Sequence, residues 1–237
     1  MKDLYETLGG LFDQLDATGV DYQVVLTADH GGNDAPERER EHAMPTAARV
    51  DGALAAATVG KTIAGRLGVA GQLLYGEGGN GDVWIDPGVP LGTRNAIIAQ
   101  AVDIYSKHPQ VAAVFTRATI AATPMPSGPP ETWTLAERAR ASFDPERSGD
   151  LVVFLKPRIT AIPDYARGYS ATHGSPWDYD RRVPILFWRK GATGFEQPLS
   201  IETVDIAPTL GALVGVAMPG VDGRCLDLDP GPASTCP

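Results

Sequence analysis

The chain has 237 residues, of which 43% are hydrophobic, so it can bury the core of one large domain or of two small ones. Its formal net charge of −9 argues against nucleic acid or an anionic membrane surface as a partner. An anionic small substrate stays compatible with this charge, because a bound metal ion can reverse the local field. The sequence contains no apolar run of the roughly 18 residues that a membrane span requires, and its first residues lack signal-peptide character.

Segments with helically spaced apolar residues alternate with short β-branched or apolar runs along the chain. This alternation predicts an α/β fold in which helices flank a largely parallel central sheet. We expect a single domain over 1–237 with a Pro/Gly-rich C-terminal tail at 221–237. The predicted helices cover residues 2–18, 45–68, 93–106, 133–143 and 204–214. The predicted strands cover residues 22–28, 72–75, 82–85, 111–116, 150–155 and 183–188.

The segments between these elements differ in composition. Residues 33–42 (NDAPEREREH) are dominated by charge and predict a solvated loop or the start of a helix. The string GEGGNG at residues 76–81 predicts a turn between paired strands, since it lacks the Gly-Lys-Ser/Thr ending of a phosphate-binding loop. Residues 160–180 form a long segment without regular periodicity. Such segments inside compact domains are usually functional.

The two cysteines, Cys225 and Cys236, flank a Pro/Gly-rich loop near the end of the chain. They can be two unrelated thiols, or they can form a local disulfide that implies an oxidising compartment. The absence of other cysteines and the short spacing favour the disulfide.

Two His-Gly segments carry the side chains with the clearest chemistry. Asp29 and His30 follow the apolar run of the strand predicted at 22–28, and His173 lies in the irregular segment before Gly174. Ligands bind beyond the carboxyl ends of strands in open α/β sheets, and carboxylate with imidazole is a usual zinc ligand set without cysteine. Taken alone, the same pattern also fits a turn with a surface histidine, in which Asp29 caps the next element.

Three strings extend this pattern: VVLTADHGGNDAPE, THGSPWDYDRRVPILFW and ETVDIAPTLGALVGV, in that order. Together they resemble the alkaline phosphatase superfamily, and most of all the bacterial exported alkaline phosphatases of its type I phosphodiesterase/nucleotide pyrophosphatase branch. The resemblance implies an alkaline-phosphatase-like fold and a two-zinc (Zn²⁺) hydrolase of small phosphate esters. It assigns Asp29 and His30 to one zinc and His173 to the other.

The resemblance covers only the C-terminal part of such an enzyme. The family's nucleophile, a Thr or Ser, and its further metal ligands are expected upstream of residue 1, and Thr27 belongs to the predicted strand. We therefore expect an N-terminally truncated phosphomonoester hydrolase, periplasmic or secreted in origin, that binds zinc weakly and is inactive alone. The alternatives are a phosphodiesterase or nucleotide pyrophosphatase on the same scaffold and a degenerate, non-catalytic metal-binding module. The oligomeric state stays open.

Two further expectations concern the surroundings of His173. Asp178 and Asp180 can orient an imidazole or can pair with Arg181 and Arg182 at the surface, and the surface pairing is favoured for at least one of them. The ligands of a two-metal centre converge within roughly ten ångströms when the metals are ~4 Å apart. The imidazoles of His30 and His173 must therefore be neighbours in the fold.

Overall fold

The structure is a computed structural model that describes residues 2–77, 79–165 and 168–237. It divides into two compact units, which we call the terminal unit (Met1–Ala28 and Pro184–Pro237) and the central unit (Asp29–Val183). The single domain expected over 1–237 stays a prediction. Among the described residues, no helix has both the length and the apolar character needed to cross a bilayer.

Eight α-helices and eight strands are present in the described residues, and most of them lie in the central unit. The α-helices are α1 (Lys2–Ala17), α2 (Pro36–Glu41), α3 (Ala56–Leu67), α4 (Leu91–Ser106), α5 (Arg117–Ala122), α6 (Leu135–Ala141), α7 (Asp178–Arg181) and α8 (Ile206–Leu213). The strands are β1 (Gln23–Leu26), β2 (Ala48–Arg49), β3 (Leu74–Gly76), β4 (Gly81–Ile85), β5 (Val111–Thr116), β6 (Leu151–Leu155), β7 (Ile159–Thr160) and β8 (Leu186–Arg189).

The central unit is built on a four-stranded sheet with the order β3-β4-β6-β5. Helices α3 and α4 pack against each other and against this sheet. The apolar residues of these elements form one continuous core because helical and strand periodicities turn them to the same side. Its fully buried members include Leu54, Ile63, Leu74, Val83, Ile97, Tyr105, Leu151 and Leu155.

The terminal unit combines α1, a two-stranded sheet of β1 and β8, and α8. Phe12 of α1 stacks on Trp188 of β8 with ring centroids 5.2 Å apart. Cys225 and Cys236 are joined in a disulfide, as the sequence favoured.

The α/β class is confirmed, but the expectation of a largely parallel sheet is wrong for the described strands. Only β2 and β7 pair in parallel. The pair β1–β8 and every pair of the four-stranded sheet are antiparallel. The antiparallel pair β3–β4 is the strand pair predicted around residues 76–81. Alternation along the chain predicted parallel strands elsewhere in the sheet, whereas β6 pairs antiparallel with both β4 and β5. Alternation is a local property and does not encode which distant strand becomes the partner.

Several predicted boundaries also change. Strand β1, predicted over residues 22–28 in a largely parallel sheet, covers only Gln23–Leu26 and pairs antiparallel with β8. It is half buried, and Leu26 at its end is 49% exposed. The helix expected from residue 45 begins at Ala56, because β2 and a 3₁₀ turn at Gly52–Leu54 occupy the preceding residues. Asp51 caps that turn by accepting a hydrogen bond from the Ala53 amide at 2.8 Å. The α5 helix was not predicted.

Candidate metal centre

The Gly31-Gly32 pair sets the path of the chain beside Asp29 and His30. The Gly31 amide donates to the Asp180 carbonyl at 2.8 Å, and the Gly32 amide donates to the Tyr179 carbonyl at 2.9 Å. A Cβ atom on Gly31 would lie 2.1 Å from the Tyr179 carbonyl oxygen, so only glycine allows this approach. The two backbone bonds bring the first His-Gly segment against the second.

The side chains of Asp29 and His30 bring two possible metal-binding atoms close together. The His30 Nδ1 atom lies 2.6 Å from the Gly31 carbonyl oxygen, which only accepts, so Nδ1 carries the proton. In the neutral ring the lone pair is then on Nε2, which lies 3.4 Å from Oδ2 of Asp29. The other Asp29 oxygen accepts from the His30 amide at 3.0 Å and fixes the carboxylate. Both side chains are accessible, with exposed fractions of 39% for His30 and 86% for Asp29.

His173 stacks on His30. The ring centroids are 3.6 Å apart and the planes differ by 14°. Stacking uses the ring faces and leaves the in-plane nitrogen lone pairs available for metal binding. The predicted neighbourhood of the two imidazoles, which are distant in sequence, is therefore present in the fold.

The loop that carries His173 is held by several contacts of the central unit. Gly174 has φ = +94°, a conformation that favours glycine. The Ser175 amide donates to Oδ2 of Asp180 at 2.8 Å. Arg138 donates to the Pro176 carbonyl at 2.7 Å, and the Trp177 indole donates to the Leu155 carbonyl of β6 at 2.9 Å. The loop is thus tied to α6, α7 and the core sheet.

Arg158 contacts residues that follow each of the two His-Gly segments. Its guanidinium donates to Oδ1 of Asn33 at 2.6 Å and forms an ion pair with Glu39, which is only 6% exposed. The same guanidinium lies 4.6 Å from the centre of the Tyr179 ring, and the Arg158 amide donates to the Tyr179 hydroxyl at 3.1 Å. Arg158 has φ = +65°, which is uncommon for a residue with a side chain.

A second arginine braces α2 against the segment that precedes His173. Arg49 makes two parallel hydrogen bonds of 2.9 Å to the Glu37 carboxylate and also donates to the carbonyls of Ile162 and Ser170. The Arg49 hydrogen bonds hold the pKa of Glu37 below its usual value.

The donor set fits half of a zinc site. Two ligands of a tetrahedral zinc with bonds of roughly 2.1 Å lie about 3.4 Å apart, which is the distance between Asp29 Oδ2 and His30 Nε2. Within the described ranges, however, no three His, Cys, Asp or Glu side chains are placed to hold one ion. Asp29 and His30 therefore fit as two of the ligands, and this part of the chain provides no third ligand for the same ion.

The two aspartates that follow His173 differ in their surroundings. Asp178 forms surface ion pairs with Arg138 at 3.6 Å and Arg181 at 3.5 Å, as favoured for one of them. Asp180 is buried beside the His173 loop.

The charges of residues 33–42 are not all solvated: they include the buried Glu39, and α2 begins with Pro36 at its N-terminus. The run Asp34-Ala35-Pro36 is a helix-start signal that could have located α2. Nothing in the sequence links Glu39 or Asn33 to Arg158.

The chain is similar to known proteins over most of its length. The family model for type I phosphodiesterase / nucleotide pyrophosphatase matches residues 1–176. Alkaline phosphatase PhoK of Sphingomonas sp is 54% identical over 233 residues, which are 97% of this chain and 42% of PhoK. Alkaline phosphatase PhoD of Zymomonas mobilis is 49% identical over 241 residues, covering 100% of this chain and 42% of PhoD. The chain thus spans less than half the length of these curated relatives.

Solved structures show the same fold at low sequence identity. A mutant of the alkaline phosphatase PafA superposes with a TM-score of 0.73 at 22% identity, covering 91% of this chain and 39% of PafA. Wild-type PafA gives a TM-score of 0.70 at 22% identity, covering 86% and 37%. The chain therefore belongs to the type I phosphodiesterase/nucleotide pyrophosphatase family of the alkaline phosphatase superfamily, and its fold is that of an alkaline phosphatase.

Proposed function

We propose that this chain supplies the C-terminal part of a two-zinc alkaline phosphatase that hydrolyses small phosphate monoesters. The observation that supports it best is the convergence of Asp29, His30 and His173, with one carboxylate oxygen 3.4 Å from an imidazole nitrogen and the second imidazole stacked on the first. The relatives PhoK and PhoD, both named alkaline phosphatases, support the monoester class.

Each residue has a defined task in this proposal. Asp29 and His30 hold one zinc, with the Gly31 carbonyl keeping the proton on Nδ1 so that Nε2 stays a ligand. His173 holds the other zinc. Bound zinc polarises phosphoryl oxygens and lowers the pKa of bound water. The exposed position of the His30 and Asp29 side chains leaves room for a phosphate ester to approach.

The proposal places the nucleophile, a Thr or Ser, outside these 237 residues. Catalytic zinc sites generally use three protein ligands, whereas the described part of this chain brings two to one ion. We therefore expect weak zinc affinity and no appreciable turnover by this chain alone. Turnover of p-nitrophenyl phosphate by the purified chain that is lost in His173→Ala would contradict this expectation.

The metal assignment is tested by titrating Zn²⁺ into the purified 237-residue chain by isothermal calorimetry. Loss of one ligand from a site with so few should abolish measurable binding, so Asp29→Asn and His30→Ala should each remove the heat of binding at that site. The matched control is His42→Ala, since His42 is an exposed histidine of the same unit without a role in the proposed site. Equal zinc binding by the wild type and by Asp29→Asn, His30→Ala and His42→Ala would contradict the assignment.

Two other functions lead to different outcomes. The matching family model also describes phosphodiesterases and nucleotide pyrophosphatases. When the chain is joined to the N-terminal portion of PhoK, a phosphodiesterase should prefer bis(p-nitrophenyl) phosphate to p-nitrophenyl phosphate. A degenerate metal-binding module should show no coupling between Asp29→Asn and His173→Ala in the calorimetric titration.

We also propose a periplasmic or secreted location. The Cys225–Cys236 disulfide supports it, because such bonds persist in oxidising compartments. Fractionation of cells that express the protein, with alkylation of free thiols before lysis, tests this location. Reduced cysteines in a cytoplasmic fraction would contradict it.

A further inference from the structure

A small, partly open cavity with both polar and apolar walls lies beside the His173 loop inside the central unit. Its volume is about 10 Å³, and its lining includes Asn33, Thr160, His173 and Asp180. A cavity of this size can hold about one water molecule when that water finds two to four polar partners.

Two buried polar atoms belong to residues that line this cavity. Thr160 and Asp180 are 3% and 5% exposed. Neither Oγ1 of Thr160 nor Oδ1 of Asp180 has a hydrogen-bond partner within the described part of the chain. The other Asp180 oxygen accepts from the Ser175 amide at 2.8 Å, so the carboxylate is fixed in place. A buried carboxylate oxygen without a partner is costly, and both atoms therefore call for a ligand in the cavity.

The chemistry of the cavity selects water over a cation. Ca²⁺ takes six to eight oxygen ligands and Mg²⁺ keeps a full octahedral shell, which this volume cannot contain. A single water can donate one hydrogen to Asp180 Oδ1 and the other to Oγ1 of Thr160, and it then accepts the N–H of an imidazole. Three such bonds are typical of a buried water.

We propose that one buried water joins Asp180 and Thr160 to the His173 ring, and that Asp180 is the positioning residue for this imidazole. The ring nitrogen that faces the water carries the proton, so the other nitrogen keeps the lone pair that a metal requires. The Gly31 carbonyl has the same effect on His30 through a direct bond. The expected effect of Asp180 on zinc affinity rests on the proposed function. The expected tautomer of the metal-free His173 ring does not.

Asp178 provides a matched control for Asp180. The two carboxylates lie in the same short helix, but the Asp178 side chain is 48% exposed and forms ion pairs with Arg138 and Arg181. A change at Asp178 removes the same charge from the same helix without reaching the cavity.

The first test is imidazole ¹⁵N NMR of the metal-free 237-residue chain at about pH 8, where histidine side chains are generally neutral. The wild type and Asp178→Asn should show His173 in one tautomer. Asp180→Asn and Thr160→Val should show a mixture of both tautomers, because the water loses a partner. In the chain joined to the N-terminal portion of PhoK, which is expected to add the remaining ligands, zinc affinity is measured by competition with a chromophoric chelator. It should fall about 10- to 100-fold in Asp180→Asn and stay within about twofold in Asp178→Asn.

An unchanged His173 tautomer in Asp180→Asn would overturn the proposal. If Asp180→Asn does not fold, Thr160→Val decides by the same criterion, since the backbone bond from Val50 to the Thr160 carbonyl is preserved. Absence of zinc binding by the wild-type chain joined to the N-terminal portion of PhoK would contradict the proposed function, while the metal-free tautomer would still test the role of Asp180.

Discussion

The contact between Gly31 and Tyr179 decides whether the two His-Gly segments can meet. A Cβ atom at Gly31 would overlap the Tyr179 carbonyl oxygen at 2.1 Å, and backbone atoms cannot swing aside as a side chain can. We therefore expect Gly31→Ala to destabilise the chain by about 1–3 kcal/mol. It should also shift the NMR signals of both His30 and His173. Urea unfolding monitored by fluorescence gives the first quantity and imidazole NMR the second.

The neighbouring glycine supplies the control. A Cβ atom at Gly32 would meet nothing within 4 Å, and its hydrogen bond to Tyr179 uses only the backbone. Gly32→Ala should change the free energy of unfolding by no more than about 0.5 kcal/mol. If both alanine variants unfold at the same urea concentration as the wild type, the close approach at Gly31 is not what brings the segments together.

Among single residues, the sequence identifies the candidate metal ligands but not the buried ion pair that lies behind them. Asp29, His30 and His173 stand out because they belong to two His-Gly segments within recognisable strings. Glu39 and Arg158 do not stand out, since they are 119 residues apart in sequence and look like ordinary surface charges. Their pairing depends on a burial that only the assembled fold creates.

Among the secondary-structure elements, periodicity located most helices and strands correctly. Helix α1 and strand β5 match their predicted spans closely, and β3 with β4 forms the predicted strand pair. Strand direction could not be predicted in this way, because β6 pairs antiparallel with both β4 and β5 through contacts far apart in sequence. Local pattern therefore specifies the elements, and long-range packing specifies how they pair.

Helix α4 carries a buried tyrosine whose hydroxyl can be tested. Tyr105 is fully buried, and its hydroxyl has no hydrogen-bond partner among the described residues. Removing an unsatisfied hydroxyl removes a desolvation cost, so at neutral pH we expect Tyr105→Phe to be neutral or up to about 1 kcal/mol more stable. Chemical denaturation at pH 7 measures this difference. A loss of more than about 1 kcal/mol would mean that the hydroxyl has a partner.

The same residue makes stability depend on alkaline pH. Burial raises the pKa of Tyr105 from 10.0 to about 12. The unfolded state thus loses its proton first, and the stability that Tyr105 contributes is complete below pH 10 and is lost as pH rises towards 12. Tyr105→Phe should flatten this decline, whereas Tyr5→Phe, at a position 82% exposed, should not. Denaturation midpoints between about pH 9 and 12 in the three proteins provide the measurement.

At the level of the whole molecule, apolar burial is divided unevenly between the two units. Every buried apolar side chain of the described residues lies in the central unit, and all but Pro36 and Pro176 fall between Ala47 and Leu155. The described part of the terminal unit buries only Asp205, Thr209 and Gly211. The terminal unit therefore gains less of the main stabilising contribution to folding, which is apolar burial.

Polar contacts and a covalent link hold the terminal unit instead. The Asp205 carboxylate accepts from the amides of Glu202 and Arg224 at 3.0 and 2.8 Å, and the Cys225–Cys236 disulfide closes the segment that follows. A groove of about 640 Å³ remains open within this unit, with Phe187, Trp188, Phe195 and Leu199 among its lining residues. Such apolar surface marks a region that gains little from burial in this chain.

This unevenness predicts two levels of local stability, which native-state hydrogen exchange can resolve. Amides of β4 and β6 should exchange only through opening of the central core, near the global free energy of unfolding. Amides of α1 and β8 should exchange through openings at least about 2 kcal/mol cheaper, because few buried apolar contacts resist them. Rates are compared after division by the intrinsic rate of each amide. Equal protection in α1 and β6 would show that burial within this chain does not set its local stability. A graded result would tie the stability of each unit directly to the apolar residues that it buries.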